Sequence, residues 1–164
     1  MGFKYTSDTF QISAVVDETV LNTLATTTIN LNLDSLSREI LVIQYVDLDV
    51  NNPDLVAGQD TFVQASLNDA NIGLSGLSNS QAIATVSHSI VTDATSAVSF
   101  QNAEPRYAQM AEAPIFVSAT DDLYLSVKGS NNTTSLGKAQ CRIYARRARA
   151  DADTYAAILT SQFN

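Results

Sequence analysis

Apolar and polar residues alternate along several short stretches of this chain with the two-residue period of a β-strand. In Phe10–Val16 the apolar side chains share one face, and Gln11 and Ser13 share the other. In Thr26–Leu33 the Ile and Leu side chains again share one face, while the opposite face carries only Thr and Asn. Successive side chains of a strand point to opposite faces of the sheet. The pattern therefore predicts strands with one buried and one solvated face.

The stretch Ile40–Val50 differs, because it is apolar on both faces for most of its length. Such a strand is typical of the centre of a sheet, where both faces are covered. We expect the cover to come from the same chain or from a partner subunit. The Asn51-Asn52-Pro53-Asp54 sequence that follows is a strong turn signal.

The rest of the chain continues as short strands separated by loops. Five further strands are predicted, with Val98–Phe100 as an additional short candidate: Phe62–Leu67, Ala82–Val91, Ile115–Ala119, Leu123–Lys128 and Lys138–Arg147. Glycine and proline mark the intervening loops, which we predict over residues 68–81, 102–114 and 129–137.

The C-terminal residues change period, since Tyr155, Ile158, Leu159 and Phe163 recur at helical spacing. Asp151 and Asp153 stand where the positive end of a helix dipole favours acidic groups. The pattern predicts a short helix over residues 151–163. Its apolar face must dock on its own domain or on a neighbouring copy.

Together these elements predict an all-β chain, folded over residues 1–164 as a single antiparallel β-sandwich of jelly-roll type with a short C-terminal helix. Strands and helices do not alternate along the sequence, which argues against a parallel α/β sheet. A chain of 164 residues is long enough to bury a two-layer core without disulfides.

The composition limits the function. Only 16% of the residues are charged, well below the usual quarter, so Ser, Thr, Asn and Gln must cover much of the surface. Neutral polar surfaces are easier to desolvate than charged ones and suit large protein–protein contacts, although an ordinary secreted β-domain has the same composition. The net charge of -8 argues against general nucleic-acid binding, which needs clustered cations.

Candidate catalytic residues are few. His88 is the single histidine and falls on the inward face of a strand, between Val86 and Ile90, which favours a core or interface role. Cys141, the single cysteine, also falls on an inward face and is interpreted as a small core residue. No nucleophile-elbow motif is present. We therefore expect a protein that is not an enzyme and that needs no cofactor.

A weak calcium candidate lies at the end of the doubly apolar strand. Asp47 and Asp49 alternate on one strand face, and Asp54 follows in the turn. Oxygen ligands at a strand end can hold calcium. The spacing matches no EF-hand loop, so a solvated strand end is the favoured interpretation and we assign no metal.

The most informative charged feature is a basic stripe near the C-terminus. Five cations occur between positions 138 and 149 without an acidic residue: Lys138, Arg142, Arg146, Arg147 and Arg149. With Tyr144 they are predicted to contact other subunits, as are Tyr155, Ile158, Leu159 and Phe163 of the helix. The stripe fits a heterologous contact with the acidic body of a neighbouring copy. Internal pairing is an equal alternative, and contact with packaged nucleic acid is the less favoured one.

Two stretches resemble small single-jelly-roll capsid-type proteins of environmental, mostly aquatic, viruses. They are REILVIQYVDLDV (Arg38–Val50) and DDLYLSVKGSNNT (Asp121–Thr133) continued by AQCRIYARRARADADTYAAILTSQFN (Ala139–Asn164). The resemblance implies a virion shell protein, either a major capsid or a decoration subunit, whose partners are copies of itself and other virion proteins. The alternative is an extracellular or virion-surface binding module, such as an adhesin or a carbohydrate-binding β-sandwich.

The expected location follows from the same features. The N-terminus lacks the apolar core of a signal peptide, and no run of about eighteen apolar residues is present to cross a membrane. We expect synthesis in the host cytoplasm, no membrane partner and a final place in the virion.

Overall fold

Two antiparallel β-sheets and one C-terminal helix make up the computed structural model, which describes residues 2–93, 97–103 and 113–162. The elements are β1 (Phe3–Tyr5), β2 (Phe10–Asp17), β3 (Ala25–Asn30), β4 (Glu39–Val50), β5 (Thr61–Asn68), β6 (Ala82–Thr92), β7 (Val98–Ala103), β8 (Phe116–Ser118), β9 (Asp122–Ser130), β10 (Lys138–Ala150) and α1 (Ala152–Gln162). The all-β sandwich with a short C-terminal helix that the sequence predicts is confirmed.

The strand pairing joins segments that are distant in sequence. In the first sheet β1 and β2 lie along one edge of β10, followed by β4 and β8; the second sheet has the order β3-β9-β5-β6-β7. Pairing is therefore nested, with β2 beside β10, β3 beside β9, β4 beside β8 and β5 beside β6. The chain thus folds back on itself as one long antiparallel pair of segments. The paired strands are divided between the two sheets, which enclose a common core.

The main core lies between the sheets and is built by the alternation along each strand. On β10 the inward positions are Ala139, Cys141, Ile143 and Ala145, all buried, as the sequence predicts. They meet buried aliphatic residues of β4, β5 and β9, including Ile43, Leu67 and Leu125. Close packing of such side chains is the main stabilising contribution in a sandwich of this size.

A second, smaller core lies on the outer face of the first sheet. It contains Ile40, Val42, Ala119, Ala148 and Ala150, and it is covered by Phe3, Tyr5, Tyr155, Ile158 and Leu159. Residues 40–43 are consequently buried on both faces of the sheet, which confirms the doubly apolar strand for this part of β4. The cover on the outer face comes from α1 and the N-terminal strand of the same chain.

A β-bulge separates the covered and the open parts of this face. Ala145 pairs with Ile43 while Tyr144 pairs with Tyr45, so Gln44 is the extra residue on β4. The bulge resets the alternation of β4: Ile43 and Val46 both face the main core. Beyond the bulge, Tyr45 is 41% exposed on the outer face, where α1 no longer covers the sheet.

Several predicted boundaries were wrong. The strand predicted over Thr26–Leu33 ends at Asn30, because Asn32 adopts a left-handed conformation (φ 50°) and its N–H bonds the Asn30 side chain. Strand β1 was missed altogether, since three residues are too few to show a period. The predicted loop 102–114 begins too early, because β7 continues to Ala103; residues 104–112 lie outside the described part.

The helix α1 is fixed at both ends. The Asp151 carboxylate accepts a hydrogen bond from the Thr154 N–H at 2.8 Å and caps the N-terminus, as the acidic start of the helix suggests. At the other end the Gln162 side chain accepts from the Ala119 N–H and donates to the Val117 carbonyl. These hydrogen bonds hold the helix against the first sheet.

A buried carboxylate closes the hairpin between β9 and β10. Glu18 is 2% exposed, and its two oxygens accept hydrogen bonds from the Gly129 N–H at 2.6 Å and the Gly137 N–H at 2.7 Å. Inside the same hairpin, the Asn132 amide donates to the Phe62 carbonyl. A Cβ atom at Gly129 would stand 2.6 Å from the Asn132 amide nitrogen, so this buried and hydrogen-bonded side chain would have to shift.

We predict that Gly129→Ala lowers the free energy of unfolding by about 1–3 kcal/mol, because the added methyl group crowds the side chains of Asn132 and Glu18. Gly76→Ala is the matched control, since a Cβ atom there meets nothing within 4 Å. Urea denaturation of both variants measures the difference. Equal stability of the two variants would contradict this account of the hairpin.

Candidate assembly surface

The two residues considered for catalysis are both interior. His88 is 7% exposed on the inward face of β6, with Nδ1 3.2 Å from Oδ1 of Asn52 and no hydrogen-bond partner for Nε2 among the described residues. Cys141 is buried, and burial raises the pKa of its thiol to about 11. A thiol that stays protonated at neutral pH is a poor nucleophile. Both residues have the placement that the sequence predicts.

Of the three calcium candidates, Asp54 is occupied within the chain. Its carboxylate accepts hydrogen bonds from the backbone N–H groups of Thr133, Thr134 and Ser135 at 2.7–2.9 Å and from the Ser135 hydroxyl. These bonds hold the pKa of Asp54 well below its usual range. Asp54 therefore organises the β9–β10 hairpin.

The other two candidates, Asp47 and Asp49, are exposed on the outer face of the first sheet. In the described part of the chain, no three His, Cys, Asp or Glu side chains are grouped so as to hold a metal ion. We make no proposal of a calcium site.

The basic stripe is split by the structure into different environments. Lys138 Nζ lies 3.8 Å from Asp17 Oδ1 on the neighbouring strand β2. The Arg146 guanidinium lies 3.8 Å from the centre of the Tyr5 ring, and its Nε donates to the Ser7 carbonyl at 3.1 Å. Cation–π stacking and this hydrogen bond hold Arg146 against its own N-terminal segment. Both cations are thus engaged within the chain.

Arg147 departs most from the predicted stripe. It follows Arg146 directly and so points to the opposite face of β10. Its guanidinium bonds the Glu39 carboxylate at 2.7 Å and the carbonyls of Leu31 and Asn32 at 2.9 and 3.2 Å. Arg147 therefore ties the β3–β4 connection to β10 and does not extend the outer stripe. Arg149 shares its parity and is exposed beside Lys4 and Glu39 in register.

Arg142 is the exposed cation at the centre of the open outer face. It is flanked in register by Ser13 on β2 and Asp47 on β4. The two ion pairs among the described residues involve Lys138 and Arg147, so Arg142 is in neither. Of the stripe, Arg142 and Arg149 are the exposed residues outside these ion pairs, and Arg142 is the one on the open outer face.

The open part of this face forms a shallow groove of about 620 Å³. Its exposed lining is largely polar and comes from β2, β4 and β10: Ser13, Val15, Tyr45, Asp47, Asp49, Gln140 and Arg142. At one end the Tyr45 and Tyr144 rings lie 5.8 Å apart, in a tilted pair. Tyr144 thus lies on the same face of β10 as Arg142, next to the groove.

The helix residues predicted to contact neighbours are used within the domain. Tyr155, Ile158 and Leu159 pack on the outer core of the first sheet and are each half-buried there. Phe163 lies outside the described residues. Of the two docking alternatives left open by the sequence, the structure shows docking on the same chain.

The outer face of the second sheet is mainly neutral and polar. Thr26 and Ser126 join their hydroxyls across β3 and β9 at 2.8 Å. Further hydroxyl and amide side chains of this face come from β3, β5 and β6: Thr28, Gln64, Ser66, Thr85 and Ser87. The loop after β5 folds over part of it, where the Ser66 hydroxyl and the Asn68 amide both donate to the Gly73 carbonyl.

Two features escaped the sequence reasoning. The first is β7, predicted only as a short candidate, whose six residues are all exposed. The second is Asp69, which is 3% exposed and whose carboxylate oxygens accept no hydrogen bond from the described residues. Burial raises the pKa of Asp69 to about 6. An acid at the start of a loop gives no sequence signal of burial.

Comparison of the sequence with protein-family models and with curated proteins finds no match. Among the described residues, no helix is long and apolar enough to cross a lipid bilayer.

We predict that the stability of the protein depends on pH through Asp69. Its pKa in the folded state lies above the usual 3.8, so the folded state binds more protons between about pH 4 and about pH 6. The resulting contribution is greatest below about pH 4 and is lost as the pH rises through about 6. Asp69→Asn should therefore be more stable than the wild type at about pH 7, with the two converging near about pH 4.

Urea denaturation of both proteins across this range measures the effect as a difference, which cancels the other carboxylates. A constant difference at every pH would show that Asp69 titrates normally. Asp54→Asn is the matched control with the opposite effect on the free energy of unfolding. Because the pKa of Asp54 is lowered in the folded state, that variant should be less stable than the wild type at about pH 7.

Proposed function

We propose that this protein is a structural, self-assembling virion protein, a capsid subunit of the major or decoration type, without enzymatic activity. The nested strand pairing carries the proposal: β2 with β10, β3 with β9, β4 with β8 and β5 with β6. A two-sheet sandwich wound from one such pair of segments is the jelly-roll arrangement, which recurs in viral capsid domains. The same arrangement also occurs in lectins, so the surfaces have to decide between assembly and ligand binding.

The distribution of polar groups favours assembly. Glu18, Asp54 and Arg147 all form hydrogen bonds to groups of the same chain, and these bonds fix the loops and strand ends. The outer face of the second sheet offers mainly hydroxyl and amide groups, which lose less on desolvation than charges do. Such a surface suits contacts with further copies of the chain, and with other virion proteins as a second class of partner.

Contact with a packaged genome is less supported than contact with another copy. Phosphate binding needs several clustered cations. Lys138, Arg146 and Arg147 are each engaged within the chain, which leaves Arg142 and Arg149 on different faces of β10. This distribution of cations supports a proposed place in the virion shell, with other copies of the chain as the main partner.

A binding module, such as an adhesin or a carbohydrate-binding sandwich, is the second candidate. The groove on the first sheet favours it, because Arg142, Asp47 and Gln140 line a concave surface next to a pair of tyrosines. Glycan-array binding that is lost in Arg142→Ser, by a chain that stays monomeric, would favour this function over assembly.

Size-exclusion chromatography with light scattering, followed by negative-stain microscopy, tests the proposal directly. We expect species much heavier than the 17.6 kDa chain at raised concentration, with a closed and repeating shape in the images. A clean monomer up to about millimolar concentration would contradict the proposal.

We predict that Arg142→Ser weakens assembly without lowering monomer stability, and more so at about 50 mM salt than at about 500 mM salt, because exposed charge contacts are screened. Arg147→Ser is the control from the same strand. It should destabilise the monomer by about 1–3 kcal/mol, because Glu39 and two carbonyls lose their partner. Unchanged assembly of Arg142→Ser at both salt concentrations would remove this residue from the contact.

A further inference from the structure

Among the described residues, strand β7 is the outermost strand of the second sheet. It pairs with β6 along Val98–Ala103, and the described residues provide no strand on its other side. All six residues are exposed, including 71% of Phe100 and 43% of Val98. In the described part of the chain, the outward row of backbone N–H and C=O groups of β7 therefore has no strand partner and can pair with another strand.

The register shows why Phe100 is exposed. Phe100 pairs with Ile90, so both side chains point to the inner side of the second sheet. Ile90 on β6 is only 4% exposed, whereas Phe100 lies one strand further out, where the first sheet no longer covers it. Phe100 therefore lies on the core-facing side of the second sheet but outside the core itself.

The edge also lacks the usual protection against pairing. Natural edge strands carry Lys, Pro, a bulge or an inward charge, or they are very short. Residues 97–103 read Ala-Val-Ser-Phe-Gln-Asn-Ala, with no charge and no proline, and β7 pairs with β6 without a register shift. The edge strand β8 of the first sheet differs, because it has only three residues.

We propose that β7 pairs in antiparallel orientation with β7 of a second copy about a twofold axis, so that the two second sheets become one continuous sheet. This inference rests on the proposed self-assembly and names the surface that carries it. An antiparallel pair of identical strands is self-complementary, since each residue that faces a partner is faced in return by the same partner. The neutral sequence brings no like charges together across the axis.

The preferred register centres on Phe100. With the axis there, Phe100 faces Phe100 of the second copy, and Ser99 faces Gln101. Cross-strand aromatic pairs are among the favourable ones, and the contact removes the most exposed aromatic side chain of the described residues from water. Val98 faces Asn102 on the same side and extends the contact.

The size of the contact indicates how it acts. Six residues of one edge bury far less than the roughly 800 Å² per partner that a stable interface needs. The β7 pair alone should therefore be weak and concentration-dependent. In a closed assembly the same pair is formed many times, and the effective concentration of each neighbour offsets the weak single contact.

Cysteine crosslinking tests the pairing at the level of single positions. Ser99→Cys, Phe100→Cys and Gln101→Cys are made in a Cys141→Ala background, with Leu36→Cys as the control because Leu36 is 95% exposed in a turn away from β7. Facing Cα atoms in an antiparallel pair lie about 4.5–5.5 Å apart, within disulfide range. We expect disulfide-linked dimers at Phe100→Cys at least about tenfold above the control, with less at the two neighbours.

Crosslinking at position 100 no greater than at position 36 would overturn the proposal. Phe100→Lys supplies a second readout that leaves the fold intact, because the residue is exposed. It should weaken self-association about tenfold or more in sedimentation equilibrium, whereas Leu36→Lys should leave association unchanged. Equal association of the two variants would also overturn it.

The outcomes separate this inference from the proposed function. Closed particles without crosslinking at β7 leave the assembly proposal standing and refute only the role of this edge. A chain that remains monomeric under all conditions, with no crosslinking at any position, refutes both.

Discussion

The antiparallel pairing of β10 with β4 is the interaction on which the rest of the structure depends. On one side of this pair lies the main core, and on the other lies the small core under α1, so Ile40–Ile43 are buried on both faces. Because this part of β4 is covered on both faces, its side chains are almost fully excluded from solvent, and it gives the strands paired with it a fixed position. Both N-terminal strands attach along the free edge of β10, and the helix that follows β10 returns across the pair.

The bulge at Gln44 divides this central pair into two functional halves. Before it, the outer face is apolar and carries the helix; after it, the outer face carries Tyr45, Asp47 and Asp49 and is open to solvent. The loops at the open end are fixed by carboxylates: Glu18 holds Gly129 and Gly137, and Asp54 holds the hairpin that follows β9. Among the described residues both cores are closed within the chain, and the surfaces that we propose for partners are the open groove, the neutral sheet face and the β7 edge.

The sequence pattern predicts the fold class because alternation directly reports which face of a strand is buried. It placed Cys141, Ile143 and His88 in the interior, and all three are there. Alternation puts Arg147 on the opposite face from Arg146, but it cannot supply the partners, Glu39 and two carbonyls, that bind its guanidinium. Pairing partners distant in sequence decide such cases, and alternation within one strand says nothing about them.

The helix α1 and the edge strand β7 both show that residue spacing does not determine which partner covers an apolar face. The spacing of Tyr155, Ile158 and Leu159 predicts an apolar helix face, but the spacing alone leaves the docking partner open; the small core on the first sheet resolves it. In β7 the problem is reversed, since Val98 and Phe100 have the pattern of buried residues and yet lie beyond the core. Their exposure follows from strand order, because β7 is the outermost strand of its sheet.

Hydrogen exchange of the monomeric and the associated protein, compared residue by residue, tests the central claim most directly. The claim is that the domain closes on itself around β10 and α1 and meets its partners elsewhere. It predicts that association adds protection in β7 and on the exposed sheet faces, while β10 and α1 are equally protected in both states. Protection of α1 that appears only on association would contradict the claim, since it would mean that the helix docks on a neighbour.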